Sequence, residues 1–289
     1  MNETLGIFAF SCLSLLTASA FAAAPAWLDV AVSAESANTV EMRRHLHANP
    51  ELGNQEKQTQ AYIVQKLKEF GVDEVLVGYK NSPTAVIGVI NPKKGNAIGL
   101  RADIDALPIK ENTGLAFESK AKGKMWGKTS DVSHMCGHDM HMAMLLSAAR
   151  ILAAQKEDVP RKVVLVFQPA EEGDSITSPF VTDNPKLSGA RALVEDGLIE
   201  KYDIKQMYGI HVMARVPAGK MLVAQGTALN SADAFQIDIE GRQAHGAMPW
   251  TGVDATLAAA QTVVALQQIV ARNVNLTQGM GVITVGKLQ

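Results

Sequence analysis

Cysteine is nearly absent from this chain. There are two. Cys12 lies in an apolar N-terminal stretch, so a chain processed after that stretch keeps Cys136 alone and forms no internal disulfide. Lys and Arg nowhere cluster, and the formal net charge is -2, which gives no electrostatic reason to expect nucleic acid or another polyanion. Past the N-terminus no apolar run is long enough to span a bilayer. Internal repeats and low-complexity tracts are missing as well, which excludes a repeat array. What remains is an ordinary globular composition: 289 residues, 47% hydrophobic and 19% charged, enough for a sizeable core in one large or two smaller domains.

Residues 6–24 are apolar and end in small side chains, with Ala18-Ser19-Ala20 and Ala20-Phe21-Ala22 both suited to signal-peptidase cleavage. Glu3 stands where a positive charge is usual. Residues 1–24 are therefore expected to be a signal peptide, and the mature protein to be exported, periplasmic or secreted, without further membrane contact. A single thiol in an oxidising compartment is at risk unless something occupies it, and a metal ion does so.

From Val40 to Phe70 apolar positions recur at helical spacing, interrupted near Asn49-Pro50 and stopped by Gly71, which predicts two helices. Buried strands are expected at 84–90, 97–100, 162–167 and 206–212, with helices at 138–154 and 189–198. Strands alternating with helices predict a layered α/β fold with a central sheet. Alternation of Phe235, Ile237 and Ile239 with polar neighbours predicts a further strand at 234–240, followed by a helix over 253–272 and a strand at 281–286. Those last elements suggest part of a second, smaller domain with an incomplete sheet.

Chemistry-bearing side chains gather where the strands end, and ligands of α/β sheets bind at the carboxyl ends of strands. Cys136 and His138 are two apart at a helix start, where both reach one ion and the dipole favours a thiolate. Glu171 and Glu172 follow the third strand directly. Adjacent carboxylates repel unless a cation or a proton intervenes, so one is expected to bind metal while the other serves as general base. His211, in an apolar run, reads as a ligand in that company. Asp103 and Asp105 fall on one side of a strand end, placed to orient a ligand. Each has a plainer reading: a buried Cys beside a capping His, a solvated acidic loop, a core histidine, a polar turn. His245, flanked by Gly and Ala, has no role from pattern alone.

Six runs, RRHLHANPELGNQE (43–56), LRADIDALP (100–108), CGHDMHMAMLL (136–146), VFQPAEEG (166–173), GIHV (209–212) and GRQAHGAMPWTGVD (241–254), closely resemble the M20 metallopeptidase and amidohydrolase family. The resemblance points to its branch of hippurate hydrolases, N-acyl-amino-acid amidohydrolases and auxin-conjugate hydrolases. It implies a catalytic domain over 25–228, with a mostly parallel sheet, and a lid and dimerisation domain of α+β type over 229–289. It implies two divalent metal ions (Mn, Zn, Ni or Co) held by Cys136, His138, Glu172 and His211. Glu171 would be general base, Asp105 an aspartate beside the metals, and His245 the lid histidine that stabilises the oxyanion, often across a dimer interface. Substrates would be N-acyl amino acids or related small amides. Trp250 stands where many relatives carry histidine, and 174–188 is longer than usual. The family's fifth ligand, a histidine near its C-terminus, and the rest of the lid are not in this sequence, so a truncated chain that keeps only partial metal binding is the alternative. A cysteine hydrolase with Cys136 as nucleophile explains the thiol but leaves Glu171, Glu172 and His211 idle.

Overall fold

The runs at 84–90 and 162–167 are apolar at nearly every position, as strands covered on both faces must be. The computed structural model describes residues 24–178, 180, 188–226 and 231–289; all but the last residue of the expected signal peptide therefore lies outside the described residues. A first compact unit ends at Ser175 and resumes over Ser188–Ile210, and the second consists chiefly of His211–Gln289.

In the first unit α1 (Trp27–Ala48) and α2 (Lys57–Glu69) are followed by β1 (Glu74–Tyr79), β2 (Ser82–Ile90) and β3 (Ala97–Asp103). The hairpin β4 (Lys122–Met125) and β5 (Lys128–Asp131), α3 (His138–Ala154), β6 (Lys162–Gln168), α4 (Gly189–Glu195), α5 (Leu198–Tyr202) and β7 (Ile204–Gly209) complete it. The central sheet runs β1-β2-β6-β3-β7. β6, β3 and β7 are parallel neighbours, whereas β2 is antiparallel to both β1 and β6, so β2 alone runs against the rest.

Two-residue alternation sorts the core into layers. Val163, Leu165 and Phe167 of β6 join Val86 and Ile90 of β2 beneath α1, α2 and α3. Val164 and Val166 join Ala85, Ile87 and Val89 on the opposite face, under α4 and α5. Phe167, Ile87, Ile90 and Leu165 are fully buried, each such side chain contributing about 1.5–3 kcal/mol. The result is a layered α/β unit with a mostly parallel sheet.

Several elements differ from the sequence-based expectation. β7 is exposed beyond Ile204, because it is an edge strand with one neighbour, β3. The helix expected over 189–198 is broken at Gly197, whose φ of 82° is left-handed, so α4 and α5 are separate. In the second unit the helix arrives as α6 (Ala255–Gln268) with a π turn at Ile269–Asn273. Asp254 caps α6 by accepting the Leu257 N–H at 2.9 Å. The strands expected at 234–240 and 281–286 do not form. Both segments lack a ladder, the only bridge among the described residues of this unit being Arg242 with Val253, and alternation without a pairing partner does not make a strand. Among the described residues no helix is long and apolar enough to cross a membrane.

Candidate metal centre

Of the three parallel strands β3 and β6 end level, and β7 ends two residues earlier. Asp103, the last residue of β3, pairs with Gln168, the last of β6, and Arg101 pairs with Gly209, the last of β7. Asp105, Glu171 and Glu172 thus leave adjacent strands at one edge. His211 follows β7 two residues further on. Opposite this edge α3 begins at His138, behind Gly137, whose φ of 101° would strain a side chain between Cys136 and His138.

His138 is the buried centre of the cluster. Its Nδ1 lies 2.8 Å from the Asp105 carbonyl oxygen and 3.3 Å from Asp105 Oδ1. That hold directs Nε2 toward the two glutamates, at 3.8 Å from Glu171 Oε2 and 3.9 Å from Glu172 Oε1, with Asp103 Oδ2 at 3.5 Å. Asp105 Oδ2 also accepts the backbone N–H of Glu172 at 2.9 Å. Ligand atoms of His138, Glu171 and Glu172 lie within 4.8 Å of one another. Cys136 reaches the same carboxylates, its thiol hydrogen-bonded to Glu172.

Crowding of carboxylates shifts the titratable groups of the cluster. Burial pushes the Cys136 thiol up, and the negative charges of Glu172, Glu171 and Asp103 push it further, to about 12. Burial and those carboxylates oppose the thiolate that a helix start was expected to favour. Burial and the charge of Glu172 raise Glu171 as well. Burial works against the charged form of His138, but the hydrogen bond to Asp105 and the charges of Asp103 and Asp105 win and raise it to about 9. Burial would raise Asp103, yet the hydrogen bond from His141 and the charges of His138 and Arg101 hold it near 2. A thiol, an imidazole turned by a carboxylate and a backbone carbonyl, and two adjacent glutamates fit a divalent cation in their donor chemistry and in the orientation of the histidine.

The structure therefore brings together Asp105, Cys136, His138, Glu171 and Glu172 in the first unit. His211 and His245 belong to the second. His211 Nδ1 lies 2.7 Å from the Val212 carbonyl oxygen, and exposed His245 accepts the Ala247 N–H on Nδ1 at 3.1 Å.

Sequence reasoning missed the supporting residues. His141, one turn after His138, lies 2.6 Å by its Nδ1 from Asp103 Oδ1, and its spacing of three from His138 was the available signal. Asp139 accepts from Arg43 Nε at 2.7 Å and lies 2.8 Å from His47 Nδ1, while His47 Nε2 lies 3.0 Å from Glu111 Oε1. The hydrogen bond to Asp139 raises the His47 pKa against burial, helped by Glu111. Fully buried Glu56 accepts the Ala170 N–H on Oε1 at 2.9 Å and the Thr84 hydroxyl on Oε2 at 2.7 Å. Nothing in local periodicity marks these long-range pairs.

Fold and donor set define an α/β protein with a cluster suited to a divalent metal at the carboxyl edge of its sheet. The chain belongs to peptidase family M20/M25/M40, whose sequence profile matches residues 99–284. It is 40% identical over 249 residues to the N-acetyl-L-cysteine deacetylase of Bacillus subtilis, covering 86% of this chain and 54% of that protein. To the hippurate hydrolase of Campylobacter jejuni it is 41% identical over 249 residues, covering 85% of this chain and 57% of that protein. The chain thus spans a little over half the length of the curated relatives it matches. A crystal structure from Bacillus subtilis, described as a dinuclear metal-binding peptidase of the M20 family, superposes with a TM-score of 0.52 at 34% identity, covering 65% of this chain and 45% of that one.

Proposed function

We propose that the protein hydrolyses the amide bond of N-acyl amino acids or related small amides with the help of two divalent metal ions. The observation that carries this reading is the convergence of Glu171 and Glu172 on His138 Nε2, at 3.8 and 3.9 Å, with Nδ1 held by Asp105. Similarity to a deacetylase and to a hippurate hydrolase, both named for amide cleavage, supports it.

In this reading Cys136, His138, Glu172 and His211 hold the metal, whose chemistry when bound is to polarise the amide carbonyl and acidify a water. Mn, Zn, Ni and Co all suit a mixed thiol, imidazole and carboxylate set. Asp105 fixes the His138 ring and the Glu172 backbone. Glu171, 41% exposed and adjacent to the ligands, takes a proton from the attacking water as its oxygen bonds to the carbonyl carbon. It returns that proton to the nitrogen as the C–N bond breaks, releasing a carboxylic acid and an amine. His245 donates to the oxyanion. Residues 25–228 form the catalytic domain and 229–289 the lid, through which two copies pair, and residues 1–24 direct export.

The electronegative surroundings of Cys136 speak against the thiol hydrolase, whose nucleophile needs an electropositive site. The test is Glu171→Gln in the full-length protein: turnover of an N-acyl amino acid is expected to fall by roughly 100- to 10,000-fold with metal content unchanged. Turnover within a few fold of wild type would overturn the assignment.

A further inference from the structure

Ala170, the residue before Glu171, is in the left-handed region at φ 50°, a conformation that a side chain with Cβ adopts reluctantly. Its N–H is held by Glu56 Oε1 at 2.9 Å. Glu56 is fully buried, and its other oxygen accepts the Thr84 hydroxyl at 2.7 Å, so the carboxylate is fixed at both ends between α2 and β2. Around it, residues 51–54 clasp the loop that bears the glutamates. Gly53 packs so closely that a Cβ there would overlap the Gly173 carbonyl oxygen and touch Ala170, and Asn54 Nδ2 donates to Asp174 Oδ1 at 3.0 Å. The same segment reaches Asp105's neighbour, since the Ala106 N–H donates to the Glu51 carbonyl at 2.8 Å. Glu172, by contrast, is pinned separately by Asp105 Oδ2 at its own N–H.

Glu171 therefore stands between two anchors, Glu56 acting one residue before it and Asp105 one residue after. We propose that Glu56 is a positioning residue: by accepting the Ala170 N–H it fixes the left-handed turn from which Glu171 is presented. The inference rests on the reading of Glu171 as the proton carrier. Glu172 keeps its own anchor, so a loss at Glu56 misaims Glu171 while metal stays bound.

The experiment compares Glu56→Gln, Glu56→Asp and Glu171→Gln in the full-length, metal-loaded protein. Gln keeps the length and an acceptor for Ala170, whereas Asp keeps the carboxyl group and withdraws the acceptor by one methylene. Glu56→Gln is expected to retain kcat within about threefold, and Glu56→Asp to lose on the order of 100-fold in kcat with KM and metal content unchanged. Adding Ala170→Gly to Glu56→Asp is expected to recover about tenfold, because glycine adopts the left-handed turn unaided. In metal-free protein, hydrogen exchange of the Ala170 amide is expected to accelerate about tenfold or more in Glu56→Asp and not in Glu56→Gln.

Equal losses in the two Glu56 variants would overturn the proposal, as would full activity in Glu56→Asp or a loss of metal in step with kcat. Should Glu56→Asp not fold, Thr84→Val, which removes the donor on Oε2, is expected to give the same signature at smaller size, and an unchanged Ala170 amide there would overturn it. If Glu171→Gln stays active, the proton-carrier reading fails, and Ala170 exchange still decides the role of Glu56.

Discussion

Asp105 Oδ2 accepts the backbone N–H of Glu172 at 2.9 Å, tying the end of β3 to the loop after β6. The other oxygen of the same carboxylate lies 3.3 Å from His138 Nδ1. One buried side chain thus sets the distance between an imidazole on α3 and a carboxylate on a loop, with no ligand of its own to give.

Asp105→Ala should weaken metal binding without removing a ligand. His138 keeps the Asp105 backbone carbonyl as a partner, so the ring stays close to place, and the loss expected for a supporting residue is roughly 10- to 100-fold in affinity. Titration calorimetry with Zn²⁺ or Mn²⁺ measures it; unchanged affinity would show that the tie is idle.

Gly53→Ala should be disproportionately harmful for the addition of one methyl group, because Gly53 is buried. The new Cβ would overlap the Gly173 carbonyl oxygen, and backbone cannot yield as a flexible side chain does, so about 1–3 kcal/mol of stability should be lost. Urea denaturation checks this, and kcat should fall with it because the displaced loop bears Glu171.

How much of this was legible in advance divides by interaction range. The parallel strands β3 and β6 and the buried helix α3 were readable because long apolar runs leave few alternatives. Cys136 and His138 were readable because they open the run of α3, and Glu171 and Glu172 because they follow the run of β6. β1 and the β4-β5 hairpin were not, being short, polar or exposed edges. Alternation at 234–240 was real but had no ladder to join. Glu56 and the pair formed by His47 and Asp139 depend on contacts across 114 and 92 residues, which no local pattern encodes.

Glu56 also predicts how stability changes with pH. Burial, opposed by the Thr84 hydrogen bond and assisted by the charge of Asp105, raises its pKa from 4.5 to about 7. The folded chain holds a proton there that the unfolded chain has released, so the stability contributed is fully present below about 4.5 and lost as pH rises through about 7. The change is on the order of 3 kcal/mol. Melting temperature should therefore fall from about pH 5 to 8 more steeply in wild type than in Glu56→Gln; parallel curves would contradict the assignment.

Cys136 should be a sluggish thiol. With its pKa pushed up to about 12 in metal-free protein, alkylation by iodoacetamide at neutral pH should be at least about tenfold slower than for free cysteine, and slower again once Zn²⁺ is added. Rapid alkylation that leaves metal binding intact would favour the thiol as a nucleophile.

The central claim is that hydrolysis depends on metal held by this cluster, and the direct measurement is turnover of an N-acyl amino acid by the full-length protein before chelation, after it, and after metal is restored. Chelation should abolish turnover, and Mn²⁺, Zn²⁺, Co²⁺ or Ni²⁺ should restore it in wild type but not in His138→Ala. Undiminished turnover in chelator, with metal analysis showing the protein to be metal-free, would contradict the account.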